Sequence, residues 1–259
     1  MKQIEFAQHV KEILSKDSNV IGVAVAGSWL SNELDEFSDL DLIIVTKEPV
    51  GGNKTLMMAY AGRFNGFLSG FTGEHVGEPR LLICLYDDPL LHVDLKFLQL
   101  TEFASRIETP VILLDTDDQL KNVCIASKAR FPYPDYQWIE DRFWTWIHYA
   151  LLKIGRGEYM EAFDFFSFLR MTVLGPLLHI KNGKKPKGVR RVETQLTKED
   201  LETLKLTIPS YEKASLLDSL QQAVDLYQSL RQTLFKNDIT LHLHTEESVM
   251  RYFNEIKKG

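Results

Sequence analysis

The chain has 259 residues, of which 44% are hydrophobic and 25% are charged. These proportions are typical of a globular protein and exclude a disordered, collagen-like or low-complexity chain. There are 30 Lys and Arg residues against 36 Asp and Glu residues, a net charge of −6. This balance does not suit a protein that mainly binds a polyphosphate backbone, so nucleic acid is not an expected partner.

The cysteines and the N-terminal segment indicate the compartment. Cys84 and Cys124 each lie in an apolar stretch, and neither belongs to a pair with the spacing of zinc ligands. Residues 2–16 mix charges into a helical pattern and lack the unbroken apolar segment of a signal peptide. No run approaches the roughly 18 apolar residues of a membrane helix. We therefore expect a cytoplasmic protein with no membrane partner.

Apolar runs and helical patterns alternate through the first half of the chain. Helices are predicted at 2–16 and 54–69, and this alternation is typical of an α/β or α+β layer. The acidity is also concentrated here, since residues 1–130 carry a net charge of −7 and residues 131–259 a net charge of +1. The predicted strands are 20–26, 39–45, 81–86, 91–98 and 111–114.

The second half of the chain is predicted to be helical. Pro132 and Pro134 disfavour helix in the residues before them, and long helical periods follow. We therefore predict a domain boundary near residue 130. The predicted helices are 135–155, 158–181, 197–204, 210–236 and 245–257, with a basic loop at 181–191.

Acidic side chains accompany the first predicted strands. Gly27 and Ser28 follow the first strand, and Asp39 and Asp41 open the second. Because side chains alternate along a strand, Asp39 and Asp41 are expected on one face. Asp94 lies in the middle of the 91–98 strand, and an adjacent position in the sheet would bring it alongside the other two.

Three converging carboxylates need a neutralising partner. At an effective dielectric constant near 20, two unit charges about 4 Å apart repel by roughly 4 kcal/mol. Either one carboxyl group takes up a proton or a divalent cation binds, and an all-oxygen set of ligands suits Mg²⁺. We interpret the cluster as a metal site. Gly27 would let the backbone approach a phosphate group closely, and Ser28 would offer its hydroxyl group and its N–H.

The order of these residues resembles a known family. Gly-Ser, a loop, Asp-x-Asp and a third acid on a later strand are the signature of the nucleotidyltransferase superfamily related to DNA polymerase β. Within it, the chain resembles the adenylyltransferases that modify aminoglycoside and lincosamide antibiotics. Gly27, Ser28, Asp39, Asp41 and Asp94 stand at the matching positions.

The resemblance implies both a fold and an activity. The implied fold is α+β, with a small mixed nucleotidyltransferase sheet and flanking helices in residues 1–130 and an all-helical substrate-binding domain in residues 131–259. The implied reaction moves a nucleotidyl group, from ATP or another nucleoside triphosphate, to a hydroxyl group with release of pyrophosphate. Asp39, Asp41 and Asp94 would then hold two Mg²⁺ ions and be catalytic, while Gly27 and Ser28 would bind the nucleotide.

The acceptor and the general base stay open at this stage. An acidic protein suits a cationic small molecule such as an aminoglycoside. A non-catalytic nucleotide-binding regulatory protein, and transfer onto protein or RNA, are the alternatives. Asp94, Glu140 and Asp141 are candidate bases.

Four further features have both an ordinary and a functional interpretation. Asp94 would pair with Lys96, which shares its strand face, and this pairing is compatible with metal binding. The aromatic segment around Trp144 either lines an acceptor pocket or belongs to the core. The 181–191 loop either binds phosphate or is simply solvated. His242 and His244 would share a strand face, and without a third nitrogen or sulfur ligand nearby we interpret them as structural.

Overall fold

The computed structural model describes residues 1–30 and 34–258. The chain forms two compact units, Met1–Phe131 and Pro132–Gly259. The first unit is built on a mixed six-stranded sheet with flanking helices, and the second is helical. This architecture confirms the predicted α+β fold.

The sheet of the first unit has the strand order β3-β4-β5-β2-β1-β6. β2 and β5 run parallel to each other, and the other neighbouring pairs in the described chain are antiparallel. β1 and β2 are rich in Val and Ile, which favour strands. The strands are β1 Val20–Val25, β2 Leu40–Thr46, β3 Phe67–Gly73, β4 Glu78–Tyr86, β5 Leu91–Gln99 and β6 Val111–Asp115.

Helices cover both faces of this sheet. On one face, Leu40, Leu42 and Ile44 of β2 are buried in the same apolar cluster as residues of two helices, α1 (Lys2–Leu14) and α2 (Lys54–Ala61). The opposite face carries a smaller cluster, which includes residues of α3 (Leu100–Phe103) and α4 (Gln119–Ala126). On that second face, Asp41 and Asp94 are only half-buried.

The second unit contains seven helices in the described chain. Its longer helices pack around one apolar core, and α5 contributes the predicted stripe of Phe143, Ile147, Leu151 and Ile154. The helices are α5 Tyr136–Arg156, α6 Tyr159–Leu169, α7 Gly175–Lys181, α8 Val192–Gln195, α9 Lys198–Lys205, α10 Lys213–Leu234 and α11 Leu243–Lys258.

A π-helical turn, Arg170–Leu174, joins α6 to α7. The combined stretch Tyr159–Lys181 is long and apolar enough to cross a membrane by length and composition alone. Half of its apolar window is buried inside the protein. Its buried residues Phe166, Leu169 and Leu177 belong to the apolar core of the helical unit.

Two sequence expectations are wrong in this structure. The helix predicted at 54–69 ends at Ala61, and Phe67 begins the edge strand β3. Gly66 turns the chain between them with a φ of +79°, a conformation that glycine adopts readily. β3 was missed because its glycines and exposed positions blur the strand alternation. His242 and His244 do not share a strand, since α11 begins at Leu243 between them.

An ionic cluster ties β4, β5 and α3 together. Glu78 accepts from Arg80 at 2.7 Å and lies 2.8 Å from the Lys96 ammonium group, and Arg80 also reaches Glu102 at 2.9 Å. Mainly through the hydrogen bond from Arg80, the pKa of Glu78 falls from 4.5 to about 2. Lys96, the partner in the ordinary interpretation of Asp94, is therefore engaged with Glu78.

This lowered pKa predicts acid sensitivity. The ionised Glu78 stabilises the folded state fully above pH 4.5, and that contribution is lost as the pH falls from 4.5 towards 2. We expect Glu78→Gln to lower the free energy of unfolding by about 1–2 kcal/mol at pH 6, allowing for solvent screening. The deficit should shrink as the pH approaches 2.5. Urea titrations followed by circular dichroism measure it, with the exposed Glu48→Gln as the control. If the loss of unfolding free energy in Glu78→Gln were equal at pH 6 and pH 2.5, the lowered pKa of Glu78 would be contradicted.

Candidate functional site

Two of the predicted carboxylates lie side by side. Asp41 of β2 and Asp94 of β5 are direct partners in the parallel ladder. Neighbouring strands in a sheet are about 4.8 Å apart, and partners in register project to the same face. Both residues are half-buried. The pairing therefore brings two carboxylates from distant parts of the chain to one point on the sheet.

His92 contacts the Asp94 carboxylate directly. Its Nε2 lies 3.0 Å from Asp94 Oδ1. The two residues are two positions apart on β5, so they share a face of the strand. An imidazole at this distance can orient the carboxylate and donate a hydrogen bond to it. Sequence reasoning missed His92, although the alternation in β5 places it beside Asp94.

Asp39 lies immediately before β2, which begins at Leu40 rather than at the predicted residue 39. The loop that leads into Asp39 is held by Gln3 of α1. The Gln3 amide group, which is fully buried, donates to the carbonyl oxygens of Asp35 at 2.9 Å and Ser38 at 2.8 Å. Gln3 was also missed. The available signal was a glutamine on the buried face of α1, in helical register with Ala7 and Val10.

Gly27 and Ser28 form a 3₁₀ turn that ends at Trp29. Gly27 has a φ of +65°, and a β-carbon at this position would lie 1.9 Å from Asp41 Oδ2. The Asp41 carboxylate therefore packs directly against the Gly27 backbone. The Ala26 N–H also donates to the Asp41 carbonyl oxygen at 3.0 Å. Only glycine satisfies both the left-handed conformation and this close approach.

A further carboxylate contacts the same turn. The N–H of Gly27 donates to Glu108 Oε1 at 2.9 Å. Glu108 lies in the loop between α3 and β6 and is half-buried. It is 81 positions away in the sequence. Nothing in the pattern of residues 104–110 connects it to Gly27, so sequence reasoning could not find it.

Asp41 and Asp94 offer the carboxylate oxygens that Mg²⁺ prefers, but two side chains do not fill its coordination sphere. Within residues 1–30 and 34–258, no three His, Cys, Asp or Glu side chains are grouped so that they could hold a metal ion. However, Mg²⁺ is usually held by one or two carboxylates together with water and substrate phosphate oxygens. The Asp41 and Asp94 pair fits that mode of binding.

Residues 7–109 match the family described as nucleotidyltransferase domain. The matched segment is less than half of the 259-residue chain. The matched segment contains β2, β5, the Gly27 turn and Glu108. The match confirms the resemblance stated from the motif residues and the enzyme class that it implied. No curated protein matches the sequence.

Several solved structures are similar to this chain. An aminoglycoside 6-adenyltransferase from Bacillus subtilis is 18% identical, with 99% of each chain covered and a TM-score of 0.41. A nucleotidyltransferase-like protein from Exiguobacterium sibiricum 255-15 is 13% identical, with 86% of this chain and 74% of that chain covered and a TM-score of 0.36. The spectinomycin adenyltransferase AAD(9) from Enterococcus faecialis was solved with ATP and spectinomycin. It is 13% identical, with 99% of this chain and 98% of that chain covered and a TM-score of 0.32. At TM-scores below 0.5, these likenesses do not identify a substrate for this chain.

Glu140, one of the candidate bases, is a core residue of the helical unit. It is 1% exposed and accepts from Trp144 Nε1 at 3.3 Å, from the backbone N–H of His242 at 3.0 Å and from the Tyr227 hydroxyl group. Arg231 lies 3.3 Å away and neutralises its charge. Burial, followed by the contact with Glu140, raises the pKa of Tyr227. These contacts hold α5, α10 and the start of α11 together.

The other candidates in the helical unit also have structural partners. Asp141 is exposed, and its pKa is lowered by hydrogen bonds from Gln137 and His242. Trp144 is buried in the core of the helical unit, which agrees with the core interpretation of this residue rather than with a role in lining a pocket. In the basic loop, Lys181 lies 2.6 Å from Asp200. These contacts favour structural roles for Asp141, Trp144 and Lys181.

The close contact at Gly27 predicts a severe effect of Gly27→Ala. The new β-carbon would displace the Asp41 carboxylate, so we expect a loss of about 2–4 kcal/mol in unfolding free energy and loss of Mg-ATP binding. The matched control is Gly52→Ala, because Gly52 has a φ of +83° with nothing within 4 Å of the added carbon. That control should cost only about 1 kcal/mol. Urea denaturation and calorimetry measure both effects, and equal losses in the two variants would contradict the contact.

The buried position of Glu140 predicts that Glu140→Gln destabilises the protein without abolishing turnover. An amide is a weaker acceptor for the Tyr227 hydroxyl group and leaves Arg231 with Glu246 alone, at 2.8 Å, so we expect a loss of about 1–2 kcal/mol in unfolding free energy. Asp141→Asn, on the same helix but exposed, should leave stability close to that of the wild type. Thermal unfolding and initial rates of nucleotidyl transfer measure the two effects. If Glu140→Gln folded normally and lost turnover, Glu140 would be a catalytic base after all.

Proposed function

We propose that this protein transfers an adenylyl group from ATP to a hydroxyl group of a small molecule, with Mg²⁺ bound and with release of pyrophosphate. The observation that carries the proposal is the pairing of Asp41 with Asp94 beside the Gly27 turn, inside a nucleotidyltransferase domain. A cytoplasmic location fits a nucleotide-dependent enzyme.

In this mechanism, Asp41 and Asp94 would hold Mg²⁺, and Asp39 would complete the set of carboxylates. When bound, Mg²⁺ would orient the triphosphate for in-line attack, lower the pKa of the acceptor hydroxyl group and neutralise charge on the leaving group. We propose that two Mg²⁺ ions bind at these carboxylates, as the sequence analysis predicted. The Gly27 and Ser28 turn would bind phosphate oxygens through backbone N–H groups and the Ser28 hydroxyl group.

The reaction itself exchanges one bond at phosphorus. The acceptor oxygen bonds to the α-phosphorus of ATP, and the bond from that phosphorus to the bridging oxygen of the β-phosphate breaks. Asp94 is the proposed acceptor of the hydroxyl proton, because its carboxylate is half-buried on the same face as Asp41. His92, 3.0 Å from Asp94 Oδ1, would hold this carboxylate in position.

The proposed acceptor is a cationic small molecule, such as an aminoglycoside-like antibiotic. Residues 1–130 carry a net charge of −7, and a negative potential raises the local concentration of cations. The Bacillus subtilis structure is named as an aminoglycoside adenyltransferase, and the Enterococcus structure was solved with spectinomycin. Both names refer to antibiotic acceptors of the kind proposed here. The choice of acceptor rests on the charge of this chain.

The test is an acceptor screen. Purified protein is incubated with ATP, MgCl₂ and a panel of aminoglycosides, spectinomycin and lincosamides, and pyrophosphate release and the mass of the modified acceptor are measured. We expect Asp94→Asn to lower turnover about a hundredfold or more, as loss of a general base does. Asp41→Asn should abolish metal-dependent turnover, as should Asp39→Ala. Asp118→Asn, at an exposed position in the same unit, is the matched control and should leave the rate unchanged.

The alternative functions give different results in the same assay. A regulatory nucleotide-binding protein would bind Mg-ATP without releasing pyrophosphate in the presence of any acceptor. Transfer onto protein or RNA would place a radioactive label from α-labelled ATP on a macromolecule and leave the small molecules unmodified. Turnover that survived Asp39→Ala and Asp41→Asn would refute the proposed metal site.

A further inference from the structure

The Gly27 N–H, which the proposed function assigns to a phosphate oxygen, already has an acceptor within the protein. Glu108 Oε1 lies 2.9 Å from the Gly27 nitrogen. A carboxylate oxygen and a phosphate oxygen are the same kind of acceptor for a backbone N–H, since both are anionic and form strong hydrogen bonds. One N–H cannot make a full-strength bond to both. Nucleotide and Glu108 must therefore compete for it.

The surroundings of Glu108 make this competition electrostatic as well as steric. Glu108 is half-buried in the loop that precedes β6, and its carboxylate is held at the turn by the bond from Gly27. On its other side, Gly27 packs against the Asp41 carboxylate. An incoming triphosphate would thus meet another anionic group, the Glu108 carboxylate, at the turn that is to bind it, and like charges repel each other. Moving Glu108 away relieves both the repulsion and the competition.

We propose that Glu108 is an internal competitor of the nucleotide. In the nucleotide-free enzyme its carboxylate occupies the Gly27 N–H and keeps the turn in its binding conformation. The triphosphate displaces it on binding, and it returns as pyrophosphate leaves. Glu108 is therefore a positioning residue that lowers the affinity of the site for polyphosphate. This inference rests on the proposed function, because it assumes that a polyphosphate binds at the Gly27 turn.

The test compares Glu108→Gln with the wild type in calorimetric titrations. Glutamine keeps an oxygen that can accept from the Gly27 N–H but removes the charge. We expect the dissociation constants for Mg-ATP and for magnesium tripolyphosphate to fall about tenfold, the size of one charge-assisted hydrogen bond. The affinity for adenosine, which has no phosphate, should not change. In the acceptor assay, KM for ATP should fall without a rise in kcat, a split that a merely structural residue would not produce.

Two further variants complete the design. Glu48→Gln removes an exposed carboxylate elsewhere in the same unit and should leave all affinities unchanged, which excludes an effect of net charge alone. Glu108→Ala replaces Glu108→Gln if thermal unfolding shows that the glutamine variant is not folded, and it should shift affinity in the same direction.

The outcomes separate the inference from the proposed function. If the wild type binds Mg-ATP and neither Glu108 variant binds it more tightly, Glu108 is not a competitor, while the proposed function stands. If the wild type and the variants bind neither Mg-ATP nor tripolyphosphate, the proposed function is wrong and the inference falls with it.

Discussion

The parallel pairing of β2 with β5 is the constraint on which the site depends. It places two carboxylates next to each other, an arrangement that is electrostatically unfavourable on its own. The opposite face of the same strands offsets this cost, because Leu40, Leu42 and Ile44 are buried there in the larger core of the first unit. A slip of one residue in the register would turn these three apolar side chains out of the larger core and Asp41 into it. Burial of the apolar face therefore fixes the acidic face.

The alternation in residues 39–45 and 91–98 was enough to predict two acid-bearing strands, because burial on one face of a strand leaves a period of two in the sequence. The pairing of Asp41 with Asp94 was expected only if the strands were neighbours, and the chain order does not specify that β2 lies beside β5. The resemblance to the nucleotidyltransferases, rather than the pattern of residues, implied that Asp41 and Asp94 act together at one site.

Residues that act through single long-range contacts were beyond sequence reasoning. Glu108 reaches Gly27 by one hydrogen bond to the backbone, and such a bond leaves no periodic signal. His242 and His244 failed for a different reason. The segment around them has an alternating pattern, but His242 precedes α11 and its N–H is held by the buried Glu140, so a tertiary contact decides the local structure. Glu140 itself looked like a candidate base because its burial and its partners on other helices were not visible in the sequence.

The contact made by Gln3 links the amino terminus to the acidic site. Its buried amide group holds two carbonyl oxygens of the loop that precedes Asp39, although more than thirty positions of sequence separate them. Deletion of the first turn of α1 would therefore release that loop. Shortened versions of the protein that keep every carboxylate, but lack these first residues, would have lost one of the supports of the site.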